Sequence, residues 1–326
     1  LLSIVALGLV SIVGSGGGGL AFMPSDCPAG WNCSGPPPAL AVTVQPPYAT
    51  ALVGRAVTYT AAPSNVTGTA SYQWSRSSDG GSNFVDIVGA TGSSYTLAAA
   101  NLGDEAAIFG VTVRDNTGAR AFATGRLAVS PTPGLVFRDS EFNAADWLVS
   151  PFGDRNAAAP VCSQDSPATG GNPGAFRRMV VQIAPQSSAG RVFYTSLVAG
   201  YDPRTQGAIR LIDYAEDGIS LQPNDLSSTD SAMLLEQAGR RYVANLRNDW
   251  PSFIASSWGS NQSRAILRAA DFNLFDGPAC RTGEACPDFS DQGGAMRFGY
   301  WRISFGPPNE VVAHGIDNWQ VTVWRQ

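Results

Sequence analysis

An all-β chain built as two β-sandwiches is the fold class this sequence predicts, and three observations carry the prediction. Charged residues make up 14% of the chain against roughly 25% in ordinary globular proteins, while Gly 36 and Pro 22 are both high, a profile of short strands and many turns. Short apolar–polar alternating runs recur along most of the length, and no helical periodicity is sustained. At 326 residues the chain is long enough to bury two ordinary cores.

The net charge of −5 is mild and gives no electrostatic footprint for nucleic acid. Every basic residue is arginine, so Schiff-base chemistry and lysine-dependent phosphate loops are excluded.

Residues 1–22 begin with an apolar run, "LLSIVALGLVSIV", too short to span a bilayer and followed by small residues. It reads as the h-region of an export signal, so an extracellular or cell-surface location is expected, with no membrane span in the mature chain. "IVGS" places Ser15 where a lipoprotein box requires cysteine, which argues against a lipid anchor. Residues 23–38 form a Cys-, Pro- and Gly-rich linker. Cys27 and Cys33 share their spacing with Cys280 and Cys286, and two local disulfides fit an oxidising compartment. Four-cysteine zinc binding is disfavoured because the spacing is not C-x2-C. Cys162 is left over.

Residues 39–130 contain seven strand-like runs, from "LAVTVQPP" through "RAVTYTAA", "SYQWSRS", "FVDIVGA", "SSYTLAA" and "IFGVTVRD" to "FATGRLAVS", with Trp74 on the third. "SYQWSRS" and the stretch from "FVDIVGAT" to "VRDNTG" resemble bacterial immunoglobulin-like domains. The resemblance implies a seven-stranded sandwich pinned by Trp74. No cysteine lies between 34 and 161, so an inter-sheet bridge is absent. Residues 131–134, "PTPG", make a stiff linker.

Residues 135–326 return to strand-like runs, among them "FRRMVVQI", "RVFYTSLV", "GAIRLIDYAED" and "AMRFGYWRISFG", with a hairpin expected around Gly239 in "EQAGRRYV". Size and all-β character predict a jelly-roll sandwich. "YDPRTQGAIRLIDYAEDGI" and "GIDNWQVTV" resemble the concanavalin-A-like or laminin-G-like domains of secreted bacterial proteins, with a galactose-binding-type jelly roll as the neighbouring alternative.

The closing stretch "HGIDNWQVTVW" holds the chain's single histidine. Strand periodicity puts Asp317 on the same face as Trp319, Val321 and Val323, at the rim of the core. An inward carboxylate there requires a cation or hydrogen-bond donors. Calcium is one solution, with Asp139 and Glu141 of the entering strand as its other ligands; an arginine partner or a capped turn is the alternative. His314 with Asp317 has the residue types of a catalytic dyad, but G-x-S-x-G is absent and no nucleophile is placed beside them.

"IDYAED" offers Asp213, Glu216 and Asp217. Jelly-roll glucanases carry E-x-D-x-E or E-x-D-x-x-E, and the leading glutamate is missing here. Asp213 and Asp217 would share a face, but four residues of strand separate them by roughly 13 Å. Retaining hydrolysis needs carboxyls about 5–5.5 Å apart. Sugar binding needs exposed aromatic faces. "MRFGYWRISF" sets Phe298, Tyr300 and Arg302 on one side and Trp301, Ile303 and Phe305 on the other, of which one set faces the core. The first set, with Trp250 and Trp258 from "NDWPSFIASSWGS", supplies the expected platform. The expected function is therefore non-catalytic recognition of a glycan or cell-surface ligand. A glycoside-active enzyme using the 213–217 acids and a purely structural surface module are the alternatives.

Overall fold

The structure is a computed structural model that describes residues 38–153, 158–221, 228–244, 257–258, 263–275, 277, 280 and 286–326. Residues 1–37, on which the expected export signal and the expected Cys27–Cys33 bridge fall, and Trp250 lie outside the described residues.

The first sandwich comprises β1 (Ala41–Gln45), β2 (Tyr48–Leu52), β3 (Val57–Ser64), β4 (Ser71–Ser77), β5 (Val85–Asp86), β6 (Ser94–Leu97), β7 (Ile108–Arg114) and β8 (Arg120–Ser130). A three-stranded sheet, β1-β3-β6, accompanies a five-stranded one, β2-β8-β7-β4-β5. Alternation decides the faces: Val57, Tyr59 and Ala61 of β3 are buried while Thr58 and Thr60 face solvent. Strand β2 is not among the seven expected runs, because Pro46 and Pro47 before it have the sequence of a turn. Those prolines lack the N–H needed to continue the β1 ladder. Beyond them the chain changes sheet, and β2 runs parallel to β8.

The second sandwich comprises β9 (Leu135–Asp139), β10 (Trp147–Phe152), β11 (Val161–Asp165), β12 (Arg177–Gln182), β13 (Ala189–Tyr201), β14 (Ile209–Ser220), β15 (Ser228–Gln237), β16 (Arg240–Ala244), β17 (Ser263–Leu267), β18 (Phe272–Leu274), β19 (Met296–Phe305) and β20 (Val311–Arg325). One sheet has the order β10-β13-β19-β15-β16-β18, and the other β11-β12-β20-β14-β17. The hairpin at Gly239 forms as expected, with Ala238 and Gly239 both at positive φ (51° and 73°), the requirement of a tight two-residue turn.

β20 organises its sheet. Its first half pairs with β12, and its second half pairs with β9 from Trp319↔Asp139 to Val323↔Leu135. The module's entering and closing strands therefore do lie side by side. Between the two halves Asn318 adopts φ 48°, and the pairing with β14 slips there, from Asp217↔Asp317 to Ala215↔Gln320. This is a bulge, and it changes which residues face the core.

Aromatic rings fill the core between the sheets. Trp147 meets Trp319 edge-on at 5.0 Å, Tyr194 stacks on Tyr300 at 4.7 Å, and the buried Arg177 guanidinium lies 5.0 Å from the Trp147 ring. Cys280 and Cys286 are joined in a disulfide, as their spacing predicted. Cys162 is a half-buried thiol whose pKa burial pushes up to about 11. Among the described residues no helix is long and apolar enough to cross a membrane.

The two sandwiches touch through polar side chains. Glu105, in the loop before β7, accepts from the backbone N–H of Val129 and also pairs with Arg268 at 2.5 Å and Arg210 at 3.5 Å in the second sandwich. Thr50 of β2 donates to Asp213 of β14 at 2.9 Å.

Candidate functional site

Three regions bear the candidate residues: the rim around Asp317, the β14 acids, and the faces of β19.

At the rim the bulge overturns the expected parity. Ile316 belongs to the core with Trp319, Val321 and Val323, whereas Asp317 is buried beneath the loop at Asn172. Its Oδ2 accepts from the backbone N–H of Asn172 at 2.6 Å and its Oδ1 from that of Asn318 at 2.7 Å. Neighbouring Asp217 accepts from the side-chain amides of both asparagines at 3.2 and 2.8 Å. Backbone and side-chain hydrogen-bond donors thus meet these carboxylates. Asp139 does not join them. Its Oδ1 takes the N–H groups of Glu141 and Phe142 and its Oδ2 the indole N–H of Trp147, closing its own turn. Glu141 is close enough to act on Asp317 electrostatically. Among the described residues no three His, Cys, Asp or Glu side chains gather as metal ligands.

Burial raises the Asp317 pKa above the ordinary carboxylate value; the two N–H donors oppose that shift, and the charges of Asp217 and Glu141 add to it. A carboxylate raised in the folded state contributes stability that is present at low pH and lost as pH rises through the folded value. Wild type should therefore gain stability relative to Asp317→Asn between pH 7 and pH 4, as measured by urea melts of the pair. A bound calcium ion would lower the Asp317 pKa and reverse that sign, and it would make the melting temperature fall on adding EDTA.

His314 does not precede the strand but lies within it, opposite Met179 of β12 and Ser220 of β14, and is fully buried. Neither ring nitrogen has a hydrogen-bond partner among the described residues. Burial, aided by the charge of Arg302, holds its pKa well below the usual histidine value. It is a neutral core side chain on the Val312 and Ile316 face of the strand, opposite to that of Asp317.

The β14 acids part company. Asp213 meets Thr50 of the first sandwich, and Asp217 meets Asn172 and Asn318 at the rim. Glu216 enters the core, where its Oε2 pairs with Arg302 at 3.1 Å and accepts from Tyr214 at 2.6 Å, and its Oε1 accepts from Ser231.

The same network corrects the reading of β19. Phe298, Tyr300 and Arg302 are 0% exposed and line the interior, so they form no platform. Arg302 is held there by Glu216, Ser231 and the Tyr300 ring, 4.6 Å away. Trp258 is half-buried elsewhere, its indole N–H on Gly170 O at 2.6 Å and its ring edge-on to Phe176. It covers the rim loop rather than joining β19.

The other face of β19 belongs to the outside of the six-stranded sheet. Trp301, 8% exposed, stacks with Phe193 at 6.1 Å, and Phe275 meets Phe193 edge-on at 4.6 Å. Above these rings runs a polar chain across the strands. Arg241 Nε donates to Glu236 Oε1 at 2.8 Å, Thr195 donates to the same oxygen at 3.0 Å, and the Arg241 guanidinium lies 4.8 Å from the Phe193 ring. Two open grooves flank the β15–β16 turn. One, of about 550 Å³, is bordered by Arg297 and by Leu197 and Val198, which a register shift in β13 leaves 44% and 69% exposed. The other, of about 650 Å³, is bordered by Arg240, Arg241 and Phe275. Glu236 and Gly239 border both. The sequence predicts this turn as a hairpin in "EQAGRRYV" but assigns no binding role to the Arg-Arg pair beside Gly239.

No protein family matches the chain, and none of the curated proteins does. Among solved structures, the N-terminal four Ig domains of Dscam1 isoform 4.44 are similar at 17% identity and TM-score 0.23, over 28% of this chain and 21% of that one. A structure titled for Dscam isoform specificity is similar at 22% identity and TM-score 0.23, again over 28% and 21%. Dscam1 isoform 6.9 gives 21% identity and TM-score 0.22, over 28% and 21%. The chain spans about a fifth of the length of these structures. A likeness this slight carries no argument about ligand or partner.

Proposed function

We propose that the chain is an exported, non-catalytic binding protein in which an immunoglobulin-like spacer carries a jelly-roll domain that recognises a glycan or other cell-surface ligand. The supporting observation is the outer face of the six-stranded sheet, where open grooves, arginine and glutamate side chains and an aromatic floor converge on one hairpin. The sheet arrangement around Trp74 favours the immunoglobulin-like reading of the first sandwich, and the paired entering and closing strands favour the jelly-roll reading of the second. The Cys280–Cys286 bridge fits export. A hydrolytic reading would require Glu216 to leave its buried ion pair and Asp213 to leave its contact with Thr50.

The test is a glycan array probed with the chain, followed by a reducing-end assay on whatever binds. Binding without cleavage is expected. Released reducing ends would replace this reading with a glycoside-active enzyme, and an array with no binding would leave a structural surface module.

A further inference from the structure

We infer that the ligand of these grooves is anionic: a carboxylated or sulfated polysaccharide held by Arg240 and Arg297 as it crosses the β15–β16 turn. The inference rests on the proposed binding face and names its ligand class. Arg297 borders one groove and Arg240 the other, with Glu236 and Gly239 common to both. The crest between them is low, since it consists of Ala238 and Gly239, and a Cβ at Gly239 would meet open space. A linear polymer laid over that crest meets both arginines.

The charges favour an anion. The grooves carry Arg240, Arg241 and Arg297 against the carboxylates of Asp202 and Glu236, and both carboxylates are already engaged. Glu236 holds Arg241 and Thr195, and Asp202 accepts from the backbone N–H of Arg204. Arg240 and Arg297 are exposed, and neither is in an ion pair among the described residues. Such guanidinium groups match carboxylate and sulfate geometry. The chain as a whole carries −5 and a pI near 4.9, so general attraction of polyanions is disfavoured, and the excess of arginine over carboxylate around the β15–β16 turn is selective. Exposed Leu197 and Val198 add an apolar wall against which a sugar ring can lie.

The experiment titrates the full chain with polygalacturonate, with its fully methyl-esterified form, which keeps the backbone without the charge, and with dextran sulfate. Binding to polygalacturonate or dextran sulfate, weakening with added salt, is expected; whichever binds distinguishes the carboxylate from the sulfate source. Arg240→Gln and Arg297→Gln should each weaken it about tenfold or more, the loss of a charge-assisted hydrogen bond. Arg55→Gln, an exposed arginine of the first sandwich, should leave it unchanged. Equal binding of the methyl ester, or unchanged binding by both groove variants, overturns the anionic class while leaving glycan binding in place. Failure of both polyanions overturns it as well, and the glycan array then decides whether the binding face falls with it.

Discussion

Trp74→Ala should destabilise the first sandwich by about 3–5 kcal/mol, the cost of truncating a large buried aromatic where the surroundings cannot collapse. The indole is fully buried mid-strand, with Tyr95 tilted against it at 6.1 Å and the stacked pair Tyr59–Phe109 in the same core. Its Nε1 donates to Gly92 O at 2.9 Å, and its backbone N–H and C=O bond Ala90 and Ile87, both at 2.9 Å. One residue thus fastens β4 to the loop that leads into β6. No cysteine lies between 34 and 161, so no covalent bridge shares the task. In a denaturant melt of the full chain the loss should appear in the first sandwich and spare the second. Trp74→Phe, which keeps a ring but strands the Gly92 carbonyl, should fall in between. A loss below about 1 kcal/mol for the alanine variant would show that the site relaxes around the hole.

Trp74 was legible because the two aromatic residues of β4, Tyr72 and Trp74, share one face while the other face carries only serine and glutamine side chains. β19 was not legible in the same way. Both of its faces carry aromatic rings, and at mid-strand both are buried, the inner by Tyr194 and the opposite sheet, the outer by Phe193 and Phe275. Periodicity separates the two sets of residues but cannot say which set faces inward, and Arg302 looked like the solvent side. It points inward because Glu216, 86 residues away in sequence, waits across the sandwich, a pairing no local pattern announces. Asp317 failed for a different reason. A single left-handed residue, Asn318, inserts a bulge and reverses the alternation between Ile316 and Trp319. Asparagine tolerates that conformation better than most residues, so "DN" was a faint signal, outweighed by the regular tail that follows it. The hairpin at Gly239 was readable, but the groove beside it depends on the β13 register shift that pushes Leu197 and Val198 outward, and that is a property of the assembled sheet.

Arg302→Met should cost the second sandwich about 3–5 kcal/mol, because it leaves the Glu216 carboxylate buried without its counter-charge. Both side chains are fully shielded from solvent. Glu216 has further support from the Tyr214 and Ser231 hydroxyls, and Arg302 from Ser231, the Trp301 backbone carbonyl and the Tyr300 ring. Hydroxyls can stabilise the carboxylate but cannot neutralise it, so the penalty falls mainly on the uncompensated charge. The double variant Glu216→Gln/Arg302→Met removes that charge while the glutamine still accepts from Tyr214. Desolvation of an ion pair offsets much of its attraction, so the double variant should be more stable than Arg302→Met alone by about 2 kcal/mol, which leaves it about 1–3 kcal/mol below wild type. Urea melts of wild type, the two single variants and the double variant supply the cycle. Additive losses would mean that the two side chains are not energetically coupled across the core. A non-additive recovery is the outcome the geometry requires, since an ion pair closed off from water is stable only while both partners are present.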